Sequence, residues 1–252
     1  MFYKMGDVDD KSMFLLWMEE YDKMNSCKPF QVTPVTLSLA HEGTCLQFYS
    51  NNGRWAPSGK ALWFMKETKG SQGTHINLWS SQRIREKWQA HAPNGGRHMC
   101  PDKSTVASLA VSDPWLIDGY KFDNRVYVLV ASIAPLLVLF RSGHLRFSQV
   151  LYSAEGGSSD PAANETVPAD KEKDLRMGMH VTNPRFGLSH TNDTRKVLRP
   201  VKHMWRDLVR RHGKERARVL WERLQMSVRN AALQAVYASR HIWFGHGGYT
   251  QW

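Results

Sequence analysis

The sequence predicts an α/β chain of the α+β kind, with mixed or antiparallel sheets flanked by helices. Three observations predict it. Two β-rich runs, VYVLVAS and LLVLFR, stand on either side of Ala134-Pro135, and Val- and Tyr-rich runs favour strands. Apolar stripes at helical spacing lie near both ends of the chain, over residues 12–24 and 201–231. Hydrophobic residues make up 42% and charged residues 23% of the 252, a globular balance that suits one large domain or two small ones.

Residues 12–24, SMFLLWMEEYDKM, are predicted helical because Phe14, Trp17, Met18 and Tyr21 recur at i, i+3, i+4 and i+7. Lys28-Pro29 ends that helix. A loop or short strand with Thr33-Pro34 follows, and LSLAHEGTCLQFY is open to a second helix. SNNGRWAPSG, residues 50–59, is turn chemistry. ALWFMK, ending on Lys66, and THINLW are predicted strands, joined by the polar, Gly-bearing ETKGSQG. Strand, loop and strand of this kind can make a flap over phosphates. Residues 82–104 read as a helix and a mobile loop, and TVASLAV as a strand. PWLIDGYKFDNR then enters the hairpin, which is apolar enough to lie in the core of a sheet. Ser142-Gly143 is expected to turn the chain again. Residues 153–173 are expected to be disordered or mobile, and MGMHVTN resumes structure. Val201, Met204, Trp205 and Leu208 stripe one helix, Gly213 breaks it, and Leu220, Leu224, Val228 and Ala231 stripe the next.

The formal net charge is +11, which favours a polyanionic partner such as nucleic acid, an anionic membrane or an acidic protein tail. The excess is concentrated. From Asp193 to Arg229 there are twelve Lys/Arg against four Asp/Glu, a net of +8. A solvated helix face and a polyanion-facing surface both fit that run. Cys27, Cys45 and Cys100 are odd in number and widely spaced, so no disulfide framework and a reducing compartment are expected. The longest apolar run, residues 126–140, falls short of the roughly 20 residues of a spanning helix. His91, His98 and Cys100 lie near one another, with His75 not far off, but their spacing is irregular. A solvated loop is the simpler account than a metal site.

KFDNRVYVLV carries the most chemistry. Lys121, Asp123 and Arg125 are spaced by two, which puts all three on one face of an extended chain. A cation–anion–cation ladder beside a buried strand is costly unless it is paired or binds something charged. A salt-bridged sheet rim and an anion site both satisfy that condition.

DGYKFDNRVYVLVASIAPLLVLFRSGHLRFS, followed by MHVTN, resembles the core of tubulin tyrosine ligase-like enzymes. WFMKETKGSQGTHI resembles their ATP flap, and VTPVTLSLAHE the segment before it. The resemblance covers roughly residues 25–240, with gaps. It implies an ATP-grasp-like fold: residues 1–60 as the N-terminal helical and linker part, 61–118 as the central flap region, and 119–252 as the C-terminal region with the basic helices. It implies ATP and Mg2+ as cofactors, and a reaction in which ATP phosphorylates a carboxylate and an amine attacks the acyl phosphate. Fixed cations stabilise the negative charge that gathers in both steps. By resemblance Arg125 and Arg146 are the catalytic arginines. Lys66, Gln72, Lys121, Asp123, His180, Thr182 and Asn183 line the nucleotide site. The Tyr-Val-Leu-Val strand resembles glutamate ligases more than the tyrosine-adding enzyme. That implies free glutamate and the acidic tails of tubulin or microtubules as partners, with a cytoplasmic place on the microtubule cytoskeleton, or in a cilium or flagellum.

The pattern is broken in places. Gln72 stands where the flap carries a second cation, His75 where it carries glycine, Ser108 where a glutamine lies near adenine, and Leu188 where a lysine is expected. The family's magnesium carboxylates lie on a late hairpin, and this sequence has no acidic residue after Glu222, so no metal ligand is assigned. A catalytically impaired relative or fragment that binds tubulin tails or nucleotide is therefore the alternative expectation. A basic nucleic-acid-binding module is the third, and it rests on charge alone.

Overall fold

The computed structural model describes residues 10–26, 33–51, 54–55, 61–69, 75–91, 100, 105–153, 177–183 and 197–239. They fall into two units. The first lies within Met1–Ser71, His75–Ser112 and Gln234–Trp252, the second within Gln72–Thr74 and Asp113–Leu233. Most of the loop expected at 153–173 lies outside the described residues, as do Gln72, His98 and Leu188.

The first unit begins with α1 (Lys11–Met24). Asp10 caps it by accepting from the amides of Ser12 and Met13, which satisfies two of the donors a helix start leaves open. The helix ends before Lys28-Pro29, where the Asn25 amide donates back to the Tyr21 carbonyl at 3.0 Å. Next come β1 (Thr36–Ser38), α2 (Glu42–Asn51), β2 (Leu62–Glu67), β3 (Ile76–Ser80), α3 (Ser81–His91) and β4 (Thr105–Leu109). The strands form an antiparallel sheet in the order β1-β4-β2-β3. The segment open to a second helix thus divides into β1 and α2.

Strand alternation sorts this sheet's two faces. Leu37, Trp63, Met65 and Ala107 pack against Cys45, Phe48 and Tyr49 of α2 and Ile84 of α3. Trp63 is fully buried. Its indole N–H donates to Ser81 Oγ at 3.1 Å, and Phe48 meets its ring edge-on at 5.0 Å. Cys45 and Cys100 are joined by a disulfide with Cα atoms 5.8 Å apart, which corrects the expectation of free cysteines. Their separation of 55 residues hid the pairing, because the packing of α2 on the sheet is what brings Cys100 against the same core.

The second unit holds β5 (Leu116–Ile117), β6 (Tyr120–Ile133), β7 (Leu136–Phe147), β8 (Leu198–Pro200), α4 (Lys202–His212) and most of α5 (Lys214–Ala238). The sheet is antiparallel in the order β5-β6-β7-β8. Asp118 and Gly119, both at positive φ, make the two-residue turn from β5 to β6. Gly213, at φ 74, separates α4 from α5. One sheet face packs Phe122, Leu145 and Phe147 against Met204, Trp221 and Leu224 of these helices.

Two expectations for the hairpin are corrected. β7 does not turn at Ser142-Gly143. It runs on to Phe147 through a register shift opposite Asn124 and Val126. Gly143 permits this because a Cβ there would overlap the Tyr127 ring and press on the Arg125 carbonyl. Nor does the far half of the hairpin lie in a sheet core. Tyr127, Val128, Leu129, Leu137 and Leu139 are exposed, Leu129 by 60%. β5 and β8 pair only with the near end, at residues 120–121 and 144–146. Among the described residues the far half is thus a two-stranded ribbon.

Candidate functional site

The strand register assembles the site. Asp123 of β6 lies directly opposite Arg146 of β7, on the sheet face away from Phe122, Phe147 and the helices. Arg146 grips the carboxylate with both prongs, Nε to Oδ1 at 2.6 Å and Nη2 to Oδ2 at 2.7 Å. Thr182 Oγ1 donates a short bond to the same Oδ2. Charge-assisted bidentate geometry of this kind is strong and directional. The anion of the ladder that looked costly in sequence is therefore paired across the sheet.

Segment 177–183, which holds MHVTN, joins them. Its first four residues make a buried helical turn, closed by the Val181 amide on the Met177 carbonyl at 2.8 Å. The amides of Gln149 and Val150 donate to Gly178 O at 2.9 and 3.3 Å. A Cβ on Gly178 would sit 3.1 Å from Val150, so glycine suits this close approach. The docking buries His180 and aims Thr182 at Asp123.

Tyr152 is the member that sequence reasoning missed. Its ring meets His180 edge-on at 5.6 Å, and Lys121 Nζ lies 6.0 Å from its centroid. Burial pushes the Tyr152 phenol up, and the charge of Asp113 adds to that. No spacing rule links Tyr152 to Lys121. The link comes from the bond between Tyr152 N and Gly119 O at 2.9 Å, which folds the loop back onto β6. Burial lowers the pKa of Lys121, and the Asp123 charge only partly restores it. A half-buried ammonium of this kind gains from any anion brought close.

The structure thus brings Lys121, Asp123, Arg146, His180 and Thr182 together, with half-buried Asn183 next in the chain. Arg125 is exposed, one residue past Asn124 at the register shift. Lys66 belongs to the first unit. There it sits on β2 between Ile76 and Val106, with Nζ 5.3 Å from the Phe64 ring. It borders a cavity of about 230 Å³ lined by Phe14, Leu15 and Met18 of α1 and by Thr36, Val106 and Ser108 of the sheet. Lys11, also at this cavity, donates to the carbonyls of Glu67 and Thr68, both at 3.0 Å. His75 takes φ 57, in the left-handed region where a glycine is unstrained, and its ring meets Glu67 at 3.2 Å.

The cation-rich cluster suits phosphate or carboxylate oxygens. It is a poor magnesium site, because Arg146 and Thr182 already fill three of the roughly four acceptor positions of its carboxylate, Asp123. Among the described residues no group of three His, Cys, Asp or Glu is placed to hold a metal ion. No helix among them is long and apolar enough to cross a membrane.

Comparison with known proteins agrees with the family resemblance. The family description "Tubulin-tyrosine ligase family" matches residues 5–243, so the match takes in α1 as well. A probable tubulin polyglutamylase, ttll-9 of Caenorhabditis elegans, is 35% identical over 37% of this chain and 22% of its own length. The human tubulin polyglutamylase TTLL6 is 30% identical over 59% of this chain and 15% of its own. The human inactive polyglycylase TTLL10 is 30% identical over 48% of this chain and 16% of its own. The chain thus spans less than a quarter of the length of each of these relatives.

Proposed function

We propose, because this chain belongs to the tubulin-tyrosine ligase family, that it forms the anion-handling part of an ATP-dependent carboxylate–amine ligase with an ATP-grasp-like fold. Its acceptor is an acidic tail of tubulin and its added amino acid is glutamate. The observation that carries this reading is the cluster on β6, β7 and segment 177–183. There Lys121, Asp123, Arg146 and Thr182 meet on one face.

Each residue's part follows from its surroundings. Lys121 draws an anion because burial leaves its ammonium under-solvated. Asp123 holds Arg146 in one rotamer, so the guanidinium's remaining edge is oriented before a ligand arrives. Thr182 locks that carboxylate. Arg125 offers an exposed cation beside the cluster, and the half-buried Lys66 borders an apolar cavity whose walls suit a purine ring. Bound ATP would supply the phosphoryl group that activates a carboxylate. The microtubule cytoskeleton, with cilia or flagella, is where such an acceptor would be met.

A second reading is favoured by one observation. Asp123 already accepts three hydrogen bonds, and among the described residues no group of three His, Cys, Asp or Glu is placed to hold a metal ion. On that reading the chain binds nucleotide or tubulin tails and turns over poorly.

Thermal unfolding of the full chain with and without Mg-ATP, beside incorporation of labelled glutamate into tubulin, tests both. The ligase reading expects a nucleotide-dependent rise in Tm that Arg125→Ala removes, together with incorporation. A rise without incorporation selects the second reading. The absence of both a rise and incorporation overturns the ligase reading of this chain.

A further inference from the structure

Between α4 and α5 the second unit carries a groove of about 320 Å³, lined by Trp115, Leu208, Leu220 and Leu224, with Arg211 and His212 at its edge. Its floor is apolar and its rim is cationic. Arg211 is fixed in place, since its Nε meets Asp207 at 2.7 Å and its Nη2 donates to Leu116 O at 2.5 Å. On α5 the neighbours of Leu220 at i−4 and i+3 are Arg216 and Arg223, and both are exposed. Of the three acidic residues on these helices two are engaged, and Glu215 is exposed in the first turn of α5. Asp207 is buried and satisfied by Trp115, Arg210 and Arg211, and Glu222 meets Arg218 at 3.3 Å. Across α4 and α5 nine Lys/Arg face three Asp/Glu.

We propose that this groove is a docking site for an acidic peptide segment that inserts one bulky apolar side chain between α4 and α5. The inserted side chain covers the leucines, and carboxylates on either side of it meet Arg211, Arg216 and Arg223. Charge complementarity selects an acidic partner, and the apolar floor selects a peptide over a phosphate backbone. A nucleic acid would call for a track of cations and open ring faces for stacking. Here the cations surround a single pit, and Trp115 is already held by Asp207 and by an edge contact with Phe122 at 5.3 Å. Pre-fixing Arg211 removes part of the ordering cost of binding. The site is separate from the β6–β7 cluster, so it stands or falls independently of the ligase reading.

The test is fluorescence anisotropy on the full chain, with a labelled glutamate-rich peptide carrying one central phenylalanine. Tight binding is expected, with roughly tenfold loss when that phenylalanine becomes alanine and at least a similar loss in an Arg216→Glu/Arg223→Glu variant. Both arginines are exposed, so the fold should survive, and circular dichroism verifies it. Leu220→Gln should weaken binding of the phenylalanine peptide while leaving the alanine peptide unchanged. Equal binding of the two peptides overturns the proposal, as does indifference to the arginine reversal. Displacement of the peptide by single-stranded RNA at lower concentration would make the groove a nucleic-acid site instead. A dimer in sedimentation that the arginine reversal dissolves would make it a contact between copies. Either result overturns the proposal.

Discussion

Asp123 and Arg146 should be energetically coupled, and the size of the coupling follows from their setting. Their side chains are 35% and 22% exposed, so neither limiting case applies. A fully exposed ion pair contributes about 0.2–1 kcal/mol, whereas a hydrogen bond to a charged group in a buried site contributes about 1.5–3 kcal/mol. Two bonds of 2.6 and 2.7 Å at intermediate burial place the coupling at about 2 kcal/mol. The measurement is a double-mutant cycle with Asp123→Asn, Arg146→Met and both together, by urea unfolding of the full chain at neutral pH. Methionine keeps most of the arginine stem, which limits lost packing. Asp123→Asn should cost more than Arg146→Met, because it also disturbs the bond from Thr182. Thr182→Val should cost about 1 kcal/mol. Additive single effects, with coupling below about 0.5 kcal/mol, would refute the reasoning, for the pair would then be a surface contact without a role in ordering the site.

Lys121→Met should weaken anion binding and remove the cost of burying the ammonium. The folded pKa lies below the ordinary 10.5, so the native chain gains stability as pH rises from the folded value towards 10.5. Alkaline unfolding curves should lose that gain in the variant. His75→Gly should raise stability by up to ~1 kcal/mol by relieving φ 57, and an unchanged urea midpoint would count against strain there. Asp207→Asn should cost about 2–3 kcal/mol, mainly through the Trp115 and Arg211 bonds of 2.8 and 2.7 Å. Burial alone would raise the Asp207 carboxyl, but the bonds from Trp115, Arg210 and Arg211 outweigh it and hold it below 3.8. Its contribution is therefore full above 3.8 and lost as pH falls through the folded value, an acid loss that the asparagine variant should not show.

Periodicity made much of this fold legible, because burial on one face imposes a pattern on the chain. The stripe of Phe14, Trp17, Met18 and Tyr21 became α1 with Trp17 and Met18 buried. Alternation became β2 and β3 in register from Leu62↔Ser80 to Lys66↔Ile76, and Gly213 separates α4 from α5. What stayed illegible depends on contacts between distant residues. Nothing local in Ser142-Gly143 distinguishes a turn from a strand that bends. The difference is the Tyr127 ring lying where a side chain would be. The apolarity of the far hairpin read as core, yet composition does not say what covers a strand. Cys45 and Cys100 paired because of α2 packing, and Asp207 looked like one more charge on a basic helix until Trp115 donated to it across 92 residues. Within the site, a two-residue spacing places Lys121 and Asp123 on one face. It does not say that Arg146 would be the cross-strand partner, or that Tyr152 would lie beside Lys121.

The contact that orders the cluster also restricts what the cluster can do. Arg146 commits Nε and Nη2 to Asp123, so only its remaining edge is open to a ligand, and Asp123 already accepts three hydrogen bonds. A ligand anion therefore also meets Lys121, which burial leaves under-solvated, and the exposed Arg125. Asp123→Asn separates two consequences of this arrangement. If Asp123 serves to orient Arg146, the variant binds phosphate-bearing ligands more weakly, because the guanidinium loses its fixed rotamer. If Asp123 instead competes with the ligand for Arg146, the same variant binds them more tightly. The bond from Thr182 argues for orientation. A hydroxyl that donates to an already gripped carboxylate strengthens the pair against exchange, which suits a carboxylate built to hold an arginine rather than one that yields it. Weaker binding by Asp123→Asn, alongside the roughly 2 kcal/mol of coupling, is accordingly the expected result, and tighter binding would assign Asp123 the role of a gate.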